Sequence, residues 1–296
     1  MGVIKIEKLT KDYGNHKGVF NITFAVEKGE IFGFLGPNGA GKTTTIRNLM
    51  GFVNHDSGNC TIDGQVCRSA RDRIQKNVGY LPGEITLMDN MDGMSFIRFM
   101  ADMRGLKDLR KAKALIERFE LNPKGKIKKM SKGMKQKIGI VCAFMHDPEI
   151  LILDEPTSGL DPLMQNIFIE MLLEEKAKGK TILMSSHIFE EVEKTCDRVG
   201  IIREGKLVAV KDIHELKSEL KNRYYIDFAS SAEKERFKKE DVYVVQEYTH
   251  SVIVEIHKDL HSLLCILPQY EVTKVDMQNL NLERLFMNYY GGKQHD

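Results

Sequence analysis

No apolar run in this 296-residue chain approaches the ~18 residues that a membrane-crossing helix requires. The longest candidate, Ile138 to Met145, is stopped by His146 and Asp147. No leader segment is visible before the strand-like Val3 to Leu9, so the chain is expected to be soluble alone and to reach a membrane only through a partner. An excess of one charge sign is also missing. Lys plus Arg number 44 and Asp plus Glu 42, a formal net charge of +2, which gives no field for gathering nucleic acid or an anionic surface. The five cysteines, Cys60, Cys67, Cys142, Cys196 and Cys265, include no CxxC pair. Such an odd, scattered set excludes a disulfide framework or zinc site and reads as reduced thiols in a cytosolic compartment.

What is present is a 42% hydrophobic chain long enough for two domains. Val3–Leu9, Val19–Val26 and Ile31–Leu35 read as strands. Asp63-Gly64 reads as a hairpin turn between Cys60–Ile62 and Gln65–Cys67. Met94 to Glu120 reads as helical, with Phe96, Phe99, Met100 and Met103 as a core-facing stripe. Asn122-Pro123 breaks that pattern. Ile150–Leu153 and Thr181–Ser185 are short apolar runs of the kind found in buried parallel strands. The sum is an α/β domain with a β-rich entry and a helical insertion over about 90–147. From residue 218 the order changes to strand Tyr224–Ala229, helix Ala232–Lys239, strands Val242–Tyr248 and Val252–His257, helix Leu260–Leu267, strand Glu271–Val275 and helix Asn281–Tyr290. That βαββαβ order predicts a small α+β, ferredoxin-like domain over 218–296, following a first domain over 1–217.

The chemistry concentrates in Gly36 to Thr44, Gly-Pro-Asn-Gly-Ala-Gly-Lys-Thr-Thr. It fits the phosphate-binding loop pattern and lies between an apolar strand and a plausible helix, Thr44 to Gly51. Glycines let the backbone approach an anion, and N–H groups at a helix start converge on it. Gly36, Asn38, Gly39, Gly41, Lys42, Thr43 and Thr44 are therefore the candidate phosphate contacts. Lys42 is suited to reach the β- and γ-phosphates, and the Thr43 hydroxyl to hold Mg²⁺. The strand Ile150–Leu153 runs directly into Asp154 and Glu155. Asp154 is suited to the Mg²⁺ shell and Glu155 to polarising an attacking water.

With these motifs in this order, the chain resembles the ATP-binding subunit of an ATP-binding cassette (ABC) transporter over about residues 3–215. Met130-Ser131-Lys132-Gly133-Met134 stands where the family signature, usually Leu-Ser-Gly-Gly-Gln, is found. Ser158-Gly159-Leu160-Asp161 matches the D-loop, His187 the switch histidine and Tyr13 the adenine-stacking aromatic. The resemblance implies a P-loop ABC cassette with a mixed, largely parallel sheet core, an antiparallel β subdomain and a helical subdomain. It implies that ATP with Mg²⁺ is bound, that Ser131 and Gly133 meet the γ-phosphate held by another subunit, and that His187 senses that phosphate. Lys42, Glu155 and His187 are then the catalytic set.

Three positions depart from the family pattern. Lys132 replaces a glycine and Met134 a glutamine. After Val78-Gly-Tyr-Leu-Pro82, Gly83 and then Glu84 stand where the Q-loop glutamine is usual. Lys132 belongs to a basic cluster with Lys126, Lys128, Lys129, Lys135 and Lys137, which reads either as a solvated lysine face or as positive charge directed toward the partner subunit's nucleotide. Glu84 offers a shifted candidate oxygen for the metal shell, and Ile85, Leu87 and Met88 either form a docking groove or fold back into the core. The resemblance further implies a head-to-tail dimer, expected to be a homodimer, working on a separate transmembrane permease at the cytoplasmic face of the cell membrane. The single cassette and the ending Leu285 to Gly291 look most like bacterial export-type systems. A soluble ABC ATPase acting as a mechanical switch on a ribosomal or other partner is the alternative. Ribosome-acting members usually carry two cassettes and DNA-organising members long coiled coils, and neither is found here.

Overall fold

Alternating apolar residues give the first two strands one inward face. In the computed structural model, which describes residues 2–219, 223–256 and 260–278, β1 (Ile4–Asp12) and β2 (Gly18–Val26) bury Ile4, Ile6, Leu9, Val19, Ile22, Phe24 and Val26. Strict alternation would turn Leu9 outward. The register shifts between Ile6 and Leu9, with Lys8 at φ 51°, and Leu9 returns to the core. β3 (Ile31–Leu35) is buried at every residue and leads to α1 (Lys42–Leu49). β4 (Ser57–Ile62) and β5 (Gln65–Val66) form a hairpin whose turn residues, Asp63 and Gly64, both have positive φ.

α2 (Arg71–Asn77) and β6 (Val78–Leu81) precede a helical segment of α3 (Gly93–Met103), α4 (Arg110–Arg118) and α5 (Lys132–Phe144). The single helical stretch expected over Met94–Glu120 is thus two helices. At Gly105 (φ 69°) the chain reverses, with Gly105 N–H donating to Asp102 O and Leu106 N–H to Ala101 O, a closed helix terminus. The inward stripe is also shifted. Phe96, Ile97 and Ala101 are buried, Phe99 and Met100 are half-buried, and Met103 is 70% exposed.

β7 (Ile150–Asp154), α6 (Pro162–Ala177), β8 (Thr181–Ser186), α7 (Phe189–Thr195), β9 (Arg198–Arg203) and β10 (Lys206–Asp212) complete the unit. Two sheets result, an antiparallel one ordered β2-β1-β4-β5 and a six-stranded one ordered β10-β9-β3-β8-β7-β6. In the second, every neighbouring pair is parallel except β10 with β9. Phe24 of the first sheet stacks on Phe32 of the second at 4.9 Å between ring centroids, so one core joins them.

The chain divides into two compact units between Ile213 and His214 rather than at 217/218. The division falls at the start of α8 (Ile213–Glu219). The second unit holds β11 (Arg223–Phe228), α9 (Ser231–Phe237), β12 (Tyr243–Glu247), β13 (Ser251–Glu255), α10 (Leu260–Ile266) and β14 (Val272–Gln278). Its sheet is antiparallel throughout, ordered β12-β13-β11-β14, the split βαβ arrangement. Tyr224, Ile226, Phe228, Phe237, Val252, Val254 and Leu263 make its core. The helix expected over Asn281–Tyr290 lies outside the described residues, as does the Leu285–Gly291 ending.

Candidate nucleotide site

The parallel strands β3, β7 and β8 end side by side, and the candidate residues follow directly from those ends. After β3, Gly36 is buried and its N–H donates to Ser186 O. Asn38 and Gly39 are exposed, and Gly41 has φ 108° at the N-cap of α1. Only glycine takes that angle without strain, and a Cβ there would also lie 2.5 Å from Val19 Cγ1. α1 begins at Lys42, and Thr43 and Thr44 are half-buried on its first turn. Lys42 is 5% exposed. Its Nζ donates to Gly36 O at 2.7 Å and Pro37 O at 3.2 Å and lies 3.2 Å from Glu155 Oε1. A buried ammonium demands such partners.

Asp154 is fully buried at the end of β7. The register of β7 on β8 sets it opposite Ser185, whose hydroxyl donates to Asp154 Oδ1 at 2.5 Å. The other carboxylate oxygen, Oδ2, is buried with no hydrogen-bond partner. Gly83 stands against it, and a Cβ on Gly83 would lie 3.0 Å from Oδ2. The next residue, Glu155, adopts φ 49° and donates its N–H to Ser185 Oγ and O. A left-handed glutamate stores a strain of ~1–3 kcal/mol that the surrounding bonds must hold. This backbone sends the Glu155 carboxylate between Lys42 and His187, with Oε2 3.5 Å from His187 Nδ1.

Ser131 caps α5, its hydroxyl accepting from Met134 N–H at 3.2 Å, an interaction worth ~1 kcal/mol. At Gly133 the helix meets the D-loop so closely that a Cβ would lie 2.5 Å from Gly159 O. Lys132 turns its ammonium to its own chain. Nζ donates to Ser158 Oγ at 2.8 Å, and its methylenes run alongside Gly159. Within this chain, therefore, its bonded neighbour is the D-loop. Asp161 caps α6 through Met164 N–H at 3.0 Å, with Pro162 in the first turn, which fixes the far end of the D-loop.

Lys42, Asp154, Glu155 and His187 are therefore gathered in one place. Tyr13 is 55% exposed with Lys11 Nζ 5.6 Å from its ring centre. Among the described residues, neither Tyr13 nor Ser131 makes a hydrogen bond to that group. Glu84 is exposed, and Gly83 is the residue beside Asp154. Ile85 folds onto α5, where a Cβ on Gly139 would lie 2.5 Å from its Cδ1, while Met88 stays exposed. Sequence reading passed over Ser185 and Gln136. Gln136 is 2% exposed and donates from Nε2 to Pro156 O at 2.7 Å, tying the signature helix to the turn after β7. A serine directly after the apolar run Ile182–Met184 was the available signal for Ser185. For Gln136, one polar residue between two lysines, there was none.

A lysine at the start of a glycine-loop helix, paired with a carboxylate that follows the end of a nearby parallel strand, defines a P-loop nucleotide hydrolase. The added antiparallel sheet and the helices before β7 narrow it to the cassette type. The chain belongs to the ABC transporter family, as an ATP-binding subunit and ABC-type ATP hydrolase. Residues 19–158 match the family described as ABC transporter. The chain is 35% identical to the linearmycin resistance ATP-binding protein LnrL of Bacillus subtilis, with 99% of this chain and 100% of that protein covered. It is 34% identical to the bacitracin transport ATP-binding protein BcrA of Bacillus licheniformis, with 98% of each covered. A solved structure of the ATP binding subunit of an ABC transporter superposes with a TM-score of 0.68 at 32% identity, covering 73% of this chain and 92% of that one. Among the described residues, no helix is long and apolar enough to cross a membrane.

Proposed function

We propose that this chain powers an export-type ABC system by hydrolysing Mg-ATP at the Lys42–Asp154–Glu155–His187 site, as one half of a head-to-tail dimer acting on a separate permease. The observation carrying the reading is the Glu155 carboxylate held between Lys42 Nζ at 3.2 Å and His187 Nδ1 at 3.5 Å. In the reaction, Lys42 exchanges its carbonyl partners for phosphate oxygens. Glu155 accepts a proton from a water whose oxygen attacks the γ-phosphorus, and the bond to the β-phosphate oxygen breaks, leaving ADP and phosphate. His187, at the open side of Glu155, donates to a γ-phosphate oxygen.

The unpartnered, buried Asp154 Oδ2 suits a divalent cation, which supports the expectation of Mg²⁺. Thr43 and Asp154 would hold it, and when bound it offsets negative charge on the phosphates. The loop residues Gly36, Asn38, Gly39, Gly41 and Thr44 cradle phosphate and Tyr13 stacks on adenine in this reading. Ser131 is exposed and its hydroxyl serves the helix cap. Contact between the signature and a γ-phosphate is therefore assigned to a second copy.

The export assignment rests on the whole-length likeness to proteins named for linearmycin resistance and bacitracin transport. Those names belong to the relatives. Attachment to the cytoplasmic face of the membrane follows from the permease. The test is ATP turnover together with affinity purification of the Glu155→Gln chain in the presence of ATP. A co-purifying multi-span membrane protein is expected. A ribosomal or other soluble partner instead would remove the transport reading.

A further inference from the structure

One buried carboxylate near the site has no part in the chemistry above. Glu191, on α7, is 5% exposed, and both its oxygens accept hydroxyl protons from other segments. Thr157 Oγ1 donates to Oε1 at 2.5 Å, and Ser186 Oγ donates to Oε2 at 2.8 Å. Thr157 is two residues beyond Glu155, at the entry to the D-loop, and is 4% exposed. Ser186 immediately precedes His187. Its Oγ also accepts the N–H of Ile188 at 2.9 Å, so the residues on both sides of His187 are pinned while its own side chain stays 43% exposed.

Among the described residues, no Lys or Arg forms an ion pair with Glu191. Burying a carboxylate without a cation is costly, and two neutral hydroxyls offset only part of that cost. Packing alone therefore gives no reason for a glutamate here, since a neutral side chain of the same shape would be at least as stable. A carboxylate does have one property that glutamine lacks. It accepts at both oxygens, so it fixes two hydroxyls on two separate segments in the same donor orientation.

We propose that Glu191 is a positioning residue for ATP hydrolysis. Through Thr157 and Ser186 it holds the turn bearing Glu155 and the loop bearing His187 at one fixed separation. This rests on the assignment of Glu155 and His187 to hydrolysis. ATP binding is left to the loop after β3, which Glu191 does not touch, so the effect falls on turnover.

The test compares ATPase kinetics and thermal melting of the full-length chain with Glu191→Gln, Thr157→Val, Thr157→Ser, Ser186→Ala and Glu155→Gln. Glu191→Gln is expected to melt at or above the wild-type temperature and to keep KM for ATP within about two-fold, while kcat falls about ten-fold or more. Thr157→Val and Ser186→Ala should lower kcat similarly. Thr157→Ser, which keeps the hydroxyl, should recover most of it. The Glu191→Gln/Thr157→Val pair should be no worse than either single change, because both cut the same link. Wild-type kcat in Glu191→Gln and Thr157→Val beside an inactive Glu155→Gln would overturn the proposal alone. So would losses that follow the fraction of folded protein. Full turnover in Glu155→Gln would overturn the assignment of the site, and the proposal with it.

Discussion

Ser185 bonds to both consecutive acids of the neighbouring strand end: its hydroxyl donates to Asp154 Oδ1 at 2.5 Å while its oxygen accepts the Glu155 N–H at 3.0 Å. The parallel register of β7 on β8, which pairs Asp154 with Ser185, produces this. A single hydroxyl thus orients the Asp154 carboxylate and holds the backbone twist that aims Glu155 at Lys42.

Ser185→Ala is expected to destabilise the chain by ~1–3 kcal/mol, because Asp154 then has two buried oxygens without a donor. Denaturant unfolding measures the loss. ATP turnover should also require more Mg²⁺, read from a magnesium titration of activity. An unchanged magnesium midpoint would detach Ser185 from the cation site.

Glu155→Gln removes the proposed proton acceptor and keeps the side-chain shape. Turnover is expected to fall about 100-fold or more while ATP still binds, since loss of a general base costs ~10²–10⁴ in rate. Steady-state ATPase assays and fluorescent ATP titration check the two halves. Loss of ATP binding instead would mean that the carboxylate serves the loop around Lys42 rather than the water.

Gly133→Ala places a methyl 2.5 Å from Gly159 O, so the start of α5 or the D-loop must move. A cost of ~1–3 kcal/mol from overpacking is expected, eased by alanine's better helix propensity. ATP binding to the single chain should stay within about two-fold, since its own phosphate loop is elsewhere, and turnover, which draws on the second copy's signature, should fall further. Calorimetry and turnover assays on the same preparation measure both.

His146 provides a pH prediction. Burial, and then the adjacent Arg104 guanidinium, pushes the imidazole down to about 4, and Arg104 Nη1 lies 2.8 Å from its Nε2. With the folded value below the unfolded one, the unfolded chain binds the extra proton between about 6.5 and 4. Stability should therefore fall as pH drops through that window. His146→Gln should remove up to about one proton from the slope of unfolding free energy against pH. Melting curves at stepped pH test this, and an unchanged slope would assign the acid sensitivity to other groups.

Much of the fold was readable because buried strands are short and apolar. Ile31–Leu35 coincides with β3, and Thr181–Ser185 falls one residue short of β8. The helical insertion was less legible. The apolar spacing in Met94–Glu120 runs past Gly105, and a glycine inside a periodic run does not announce whether it ends a helix. The Lys132 contact was not legible either, because Ser158 is 26 residues away and meets it only through the packing of α5 on the D-loop.

By itself the sequence determined the covalent pattern: a glycine loop ending in Lys42 and Thr43, an apolar run ending in Asp154 and Glu155, and a histidine after a further apolar run. Those are local, since chain direction and side-chain type suffice to set a loop at a strand end and a cap at a helix start. Tertiary structure alone decided the distances among them. Lys42, Glu155 and His187 come from three different strand ends, and only the β3-β8-β7 order and the register of that sheet bring them within 3.2 and 3.5 Å contacts. It likewise decided which hydroxyls face Asp154 and Glu191, because hydrogen bonds between distant segments depend on how strands align, which no local pattern of residues encodes.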